Sequence, residues 1–330
     1  VPLAAGWLAW LRRWGASVAS LAMGLAVLLV FRRGLPHVGW IVGYLLLLWL
    51  VLAAAAELWV PAPSRRRRLV LTAAEYLIQT LYHNLLLFVL PAYAAAATFT
   101  SANAVVPVLV AAGALLTAVD PWYAALTRRL AWARLAVLGV SVFAALNVAL
   151  PLVGVRPALA LVGSAALAAL AATPQLRRDH GLSWRQAHAL AAGGALLAAG
   201  LVWEARALVP PAPLFLARAV AARAVVGLEP VEPLAGALPE ATLRAWGGVT
   251  AYTAIYAPAG LRQAVEHVWR RDGQEIARLQ VATIRGGRAE GFRTWSRRTD
   301  LRGPLAGRYV VDVRTASGQL IGRLRFTVAP

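Results

Sequence analysis

The sequence predicts an α-helical polytopic membrane bundle of about seven transmembrane helices followed by a small all-β, sandwich-like domain. Three observations carry that expectation. Residues 38–60 supply the roughly 20 consecutive apolar residues that a helix needs to cross a bilayer core. Residues 308–328 instead alternate apolar and polar with the period of two of a half-buried strand. Between the two patterns stands Pro210-Pro211, where long apolar runs give way to short alternating ones. The chain therefore divides into a bundle over 1–203, a Pro/Ala-rich connector over 204–248 and a β domain over 249–330.

Composition supports the membrane class. Of 330 residues 60% are hydrophobic and 14% charged, far from the balance of a soluble domain. Cysteine is absent, which excludes disulfides, thiolate nucleophiles and cysteine-held metal clusters. A net charge of +19 would ordinarily raise nucleic acid as a partner. Here the first-half arginines sit in short loops between apolar runs, so the charge reports topology and no nucleic-acid partner is expected.

The apolar runs place helices at 17–31, 38–60, 69–93, 102–119, 135–152, 157–173 and 187–203. Ahead of the first, Trp7, Trp10 and Trp14 with Arg12 and Arg13 have the chemistry of an interfacial anchor. Arg32 and Arg33 follow this run where a signal-peptide cleavage site would need small residues, so it is expected to be retained. Twelve arginines fall on the N-terminal side of the bundle (Arg12, Arg13, Arg65 to Arg68, Arg128, Arg129, Arg134, Arg177, Arg178 and Arg185) and three on the other (Arg32, Arg33 and Arg156). The positive-inside rule then makes the N-terminus cytoplasmic and, after seven crossings of a bacterial inner membrane, the β domain periplasmic. Residues 214–228 are apolar but include Arg218 and Arg223, each costing about 2.5–3.5 kcal/mol at a helix centre. They are expected to form an interfacial helix, with an eighth span as the alternative.

The tail carries two hairpin signals. Ser317-Gly318 forms a turn that pairs Val313 with Gly322, Val311 with Leu324 and Tyr309 with Phe326 on one face, and Asp312 with Arg323 and Val310 with Arg325 on the other. Asp272-Gly273 forms a second turn, setting Trp269 against Ile276 and Arg270 against Glu275. With 249–256 and 291–297 this gives about six strands.

At His267-Val268-Trp269, Gly291-Phe292-Arg293-Thr294-Trp295-Ser296, Tyr309-Val310-Val311-Asp312-Val313 and Gly318-Gln319-Leu320-Ile321-Gly322 the tail resembles the bacterial domain of unknown function 2914. The membrane part in front is similar to the arrangement that accompanies this domain in bacterial membrane proteins. The resemblance implies a domain boundary and a bacterial envelope location. It implies no activity, because the family has none assigned.

Two clusters are candidate sites. On the third predicted helix Glu75, Gln79, Tyr82 and His83 fall along one stripe at spacings of three, four and eight residues. A carboxylate, an amide and an imidazole through the membrane form a proton or substrate path if open, and structural glue if bonded to Tyr44, Ser141, Asn147 or Ser164. Without a partner Glu75 is expected to take up a proton near neutral pH, because desolvation raises a carboxyl pKa. In the β domain His267 and Trp269 are expected to share a face with Arg278, and Arg293, Trp295 and Arg297 to share another. Tryptophan beside arginine is the usual chemistry of a partner-binding face. The histidines are too scattered for a metal centre, and no sequence motif implies a cofactor.

These features lead to a non-enzymatic integral membrane envelope protein, set in the lipid bilayer, whose periplasmic β domain binds an envelope protein or an anionic glycan or lipid. The alternative is a transporter or membrane enzyme working through the polar stripe.

Overall fold

The computed structural model describes residues 38–59 and 64–330. The predicted helix 17–31, the tryptophan anchor before it, and Arg12, Arg13, Arg32 and Arg33 lie outside the described residues. A helical N-terminal region precedes a β-rich C-terminal one. The contacts group into two units, the first holding the described residues up to Ala92 with Pro107–Ala149 and Leu159–Glu204, the second Tyr93–Val106, Leu150–Ala158 and Ala205–Pro330.

In the helical region α1 is Val38–Leu58, α2 Arg65–Ala96, α3 Val105–Ala118, α4 Asp120–Arg129, α5 Ala133–Leu152, α6 Pro157–Ala171, α7 Thr173–His180 and α8 Trp184–Glu204. Among the described residues five helical stretches are long and apolar enough to cross a membrane: Val38–Leu58, Arg65–Ala96, Ala133–Leu152, Pro157–His180 and Trp184–Leu208. A sixth passes only as a pair, Ala102–Ala118 with Asp120–Arg129, bent by 103°. The bend has a local cause. Val119 is extended and Pro121 follows Asp120 at the first turn, where its missing N–H costs nothing in the new helix but cannot continue the old one. Asp120 and Arg128-Arg129, expected in a loop, therefore open and close an amphipathic helix with charges matched to its dipole. Helix α7 ends at Gly181, whose φ of 63° supplies the left-handed C-cap.

The second unit contains β1 Phe215–Val226, β2 Glu229–Pro233, β3 Leu238–Pro239, β4 Val249–Tyr256, β5 Arg262–Gln263, β6 Val265–Arg271, β7 Gln274–Gln280, β8 Ile284–Arg285, β9 Phe292–Arg298, β10 Gly307–Thr315 and β11 Leu320–Ala329, with a short helix α9 at Glu240–Trp246. One sheet runs β2-β1-β4-β9, another β3-β11-β10-β6-β7, and β5 pairs with β8. Ala221, Val249 and Ala251 of the first sheet pack with Trp269, Tyr309, Val311, Leu324, Phe326 and Val328 of the second in one core. There Tyr309 stacks on Phe326 with centroids 5.0 Å apart, and Trp269 meets the same ring edge-on.

Residues 214–228 are a correction. They form neither an interfacial helix nor an eighth span but the long strand β1, and Glu229–Pro233 after them is β2, so the expected connector belongs to the sheet. Gly227 and Leu228 both take positive φ and close a two-residue hairpin between Val226 and Glu229. The two arginines that made a span costly are cross-strand partners here, Arg218 with Glu229 at 3.1 Å and Arg223 with Glu232 at 2.8 Å.

The hairpin of β10 and β11 has the predicted register at all five pairs, from Tyr309 with Phe326 to Val313 with Gly322. The β6–β7 hairpin does not. Arg270 opposes Glu275 as expected, but a bulge beyond it sets Trp269 against Ala277 instead of Ile276. The slip also moves Arg278 opposite Val268, so it leaves the face of His267 and Trp269.

Because β4 hydrogen-bonds to β1 along its whole length, a fragment starting at residue 248 has an open edge where β1 belongs. Fragment 205–330 is expected to give a β-type circular-dichroism spectrum and a cooperative melt, whereas 248–330 is expected to aggregate or remain unfolded.

Candidate functional site

The helical unit contains a cleft of about 430 Å³. Helix α2 brings Glu75, Gln79 and Tyr82 to it from three successive positions of one stripe, α4 brings Asp120, Tyr123 and Arg128, α5 Arg134, and α7 Gln175, Arg178 and Asp179. Three carboxylates and three guanidiniums share its wall. Arg178 holds the Glu75 carboxylate in a close ion pair. Arg134 stands 3.9 Å from Asp179, and Gln79 donates to the Thr117 carbonyl at 2.9 Å and to Asp120 Oδ1 at 2.6 Å.

Glu75, Gln79 and Tyr82 of the expected stripe line this cleft together. His83 departs from it: this ring is fully buried, does not line the cleft, and places Nδ1 2.9 Å from the Ala114 carbonyl of α3. His83 thus bonds to a main-chain carbonyl of α3, and Gln79 to another and to the Asp120 carboxylate of α4, with none of the four side chains expected as glue as their partner. Glu75 is not the unpartnered carboxyl expected, because α7 supplies Arg178. Glu57, at the end of α1, accepts from Arg177 at 3.4 Å and from Trp184 Nε1 at 2.7 Å. Sequence reasoning missed Tyr123, Arg134, Arg178 and Asp179 as cleft residues. Their one signal was charge at the ends of apolar runs, and that was absorbed by topology.

In the β unit the first proposed partner face dissolves. His267 and Trp269 are wholly buried, while Arg278 lies outside, tied to Glu266 at 2.7 Å and to Glu275 at 3.1 Å. The buried pair forms a polar bridge between the sheets. Trp269 Nε1 can only donate, and does so to Ser296 Oγ at 2.9 Å. The Ser296 hydroxyl proton is then directed to His267 Nδ1, 2.8 Å away, which leaves the imidazole proton on Nε2 to reach Thr253 Oγ1 at 3.2 Å. Thr253 continues to Thr294 Oγ1 at 2.9 Å. This arrangement is that of a neutral ring, and burial pushes the His267 pKa down to about 4.

The second face survives in part. Trp295 is 41% exposed, on the outer side of β9. Its neighbours are committed: Arg293 pairs with Glu229 and Glu290 at 3.1 Å each, and Arg297 donates to the Arg223 and Trp246 carbonyls. On the outer face of the other sheet Asp312 is fully buried beneath Arg270, Arg314 and Arg323, with Arg323 Nε 2.5 Å and Arg314 Nη2 3.0 Å from its oxygens. Burial alone would raise its pKa, but the guanidiniums, Arg323 foremost, more than offset this and hold the carboxyl below its usual value. No group of three or more histidine, aspartate or glutamate side chains among the described residues is arranged to hold a metal ion.

The model of the family of unknown function DUF5924 matches residues 3–245, and that of the protein of unknown function DUF2914 matches residues 262–328. The first match covers most of the chain, and the chain belongs to that family; its tail carries the DUF2914 domain that the sequence resembles. No curated protein matches the chain. No solved structure matches it either.

The histidine bridge predicts a pH dependence. Folded His267 binds its proton less readily than the unfolded residue, whose pKa is about 6.5, so the unfolded state gains protons first as pH falls. Stability of the β unit is therefore expected to be flat above about pH 6.5 and to decline towards pH 4 by about 3 kcal/mol. Asp312, with its lowered pKa, adds a further loss only in the acid range below that. Urea midpoints of fragment 205–330 between pH 7.5 and 4.5 check this, and His267→Gln is expected to flatten the profile across that window.

Proposed function

As a member of a family without assigned activity the chain inherits no reaction, and we propose that it is a seven-span bacterial inner-membrane protein whose helical unit receives a small polar solute. The count of seven adds the helix expected from the sequence at 17–31 to five long apolar stretches and the bent pair, taken as one span. Arginine asymmetry supports a cytoplasmic N-terminus and a periplasmic β domain, read here as a sandwich of its two sheets. The observation that carries the solute reading is the convergence of Glu75, Gln79 and Tyr82 with Asp120, Tyr123, Arg134, Arg178 and Asp179 around one cleft. Such a wall, balanced in charge and lined by hydroxyl-bearing rings, suits a zwitterionic or hydroxylated solute better than a bare ion.

Cysteine labelling is clean in a chain without cysteine. Ala124→Cys lies on the cleft wall and is expected to react with an impermeant maleimide only from the cytoplasmic face of membrane vesicles. A cytosolic metabolite fraction below about 1 kDa is expected to slow that reaction severalfold. Combining Glu75→Gln with Arg178→Gln, which preserves net charge, is expected to abolish the protection. Equal labelling with and without the fraction would mean that the cleft is structural.

Trp295 favours a second reading, in which the β domain binds an envelope protein, glycan or lipid. Since Arg293 and Arg297 hold neighbouring segments, their removal would mix stability with binding. Trp295→Ala is the cleaner probe, expected to leave the melting temperature within a degree or two while removing any co-purifying partner. Retention of the partner would end this reading.

A further inference from the structure

The outer face of the sheet containing β10 and β11 has more positive than negative charge, and it adjoins the ends of apolar helices. Across β11, β10, β6 and β7 the register aligns Arg325, Val310, Arg270 and Glu275 in one row, and Arg323, Asp312, Val268 and Arg278 in the next. With Arg314 and Glu266 beyond them, five arginines face three carboxylates. One buried carboxylate, Asp312, carries three of those arginines. Two oxygens cannot neutralise three guanidiniums, so the face keeps a positive excess.

The same hairpin is fastened to helix-end segments within its own unit. Arg325 Nη2 donates to Thr100 Oγ1 at 2.7 Å, and Thr100 lies four residues past the end of α2 and five before the start of α3. Asn103, fully buried, donates to the Leu320 carbonyl at 3.1 Å. Arg206 Nε reaches the Ser317 carbonyl at 3.0 Å, and Gln319 Nε2 the Val209 carbonyl at 3.2 Å. Four bonds thus hold the β10–β11 turn and the outer end of β11 against segments that must emerge at the bilayer surface if the helices span it. One of these segments exposes Phe99, beside Thr100, at 66%; elsewhere in the same unit Val153, in the link between α5 and α6, is 61% exposed. Neither packs into the β core. Apolar side chains at the acyl boundary with arginine beside them at headgroup level are what an interfacial surface presents.

We propose that this rim, Arg325 and Arg323 with Phe99, is a binding surface for anionic phospholipid headgroups of the leaflet in which the helices emerge. The proposal rests on the membrane-spanning reading of the helices and is independent of the cleft. Arginine accounts for the charge and the exposed Phe99 for the choice of a lipid, since a soluble anion would have no use for that ring. The surface orients the β unit on the bilayer through charge attraction and is weakened by salt.

The test uses the full chain in nanodiscs of phosphatidylcholine with and without about one third phosphatidylglycerol. Amide exchange of β11 and of residues 97–104 is expected to slow roughly fivefold with the anionic lipid, the effect of one arginine at a charged surface. The difference is expected to vanish in Arg325→Glu, to shrink in Phe99→Ser, and to fade at high salt. Arg325→Lys, which keeps the charge, is expected to retain most of it. Equal exchange in the two lipids, with the chain inserted, would overturn the proposal. So would full protection by inorganic phosphate in phosphatidylcholine discs, which would make the site one for a free anion. Failure of the chain to insert would instead overturn the spanning reading on which the surface depends.

Discussion

The pairing of β1 with β4 governs the second unit. A helix satisfies its own peptide groups, but a strand cannot, so β4 needs neighbours on both edges, and β1 and β9 supply them. Once β1 is in place its inward Ala221 can enter the core beneath Trp269 and Phe326, and its outward arginines meet Glu229 and Glu232 on β2. The two family matches reflect the same interdependence. The first ends at residue 245, after β1, β2 and β3, and the second begins at 262, so the boundary between them falls inside the β unit. Hydrogen bonds cross it, from β1 to β4 and from β3 to β11. The end of the first matched stretch, from Ala205 on, and the whole of the second consequently belong to one folded unit.

What the sequence made legible follows from how local the determinants are. The β10–β11 register was readable from Tyr309 to Val313 because strict alternation allows one pairing that keeps the apolar face dry, and the bulge at Val313/Arg314 falls beyond those pairs, beside the turn. The β6–β7 register was not, because a bulge adds one residue without a side-chain signature, and the slip carried Arg278 to the opposite face. Residues 214–228 were misread for a different reason: five alanines and a length of fifteen suit a helix as well as a strand, and the arginines argued only against burial in lipid. The overlooked signal was complementarity at hairpin spacing, Arg223 and Glu232 placed symmetrically about Gly227-Leu228. In the helical unit the α2 stripe was readable from spacings of three and four. Its partners came from α4, α5 and α7, and no spacing within one helix can disclose those.

The cleft and the β sheet solve opposite electrostatic problems. In the cleft, charges of both signs occur in equal number and the closest pair, Glu75 with Arg178, joins residues 103 positions apart. Such balance keeps the cost of holding ions near an apolar bundle low while leaving polar groups open to a solute. His83 lies outside this arrangement. One ring nitrogen meets the Ala114 carbonyl and the other, buried, has no hydrogen-bond partner, so the ring tethers α2 to α3 at one point while retaining capacity for another bond.

In the β unit charge is neutralised unevenly, and arginine makes the difference. Lysine, a point charge, would crowd against its neighbours if three were brought to one carboxylate; guanidinium planes spread their charge and approach the two oxygens of Asp312 from separate directions, through Nε of Arg323 and terminal nitrogens of Arg314 and Arg270. The buried Asp312 is then the interaction that permits three arginines to lie close together on one sheet face. Without its charge their mutual repulsion would act directly on the hairpin whose tip is bonded to Asn103, Arg206 and Val209. The carboxylate that reads as a salt-bridge partner in the sequence thus gathers the positive charge on the face that adjoins the helix ends, and in doing so leaves that face with more charge than it can satisfy internally.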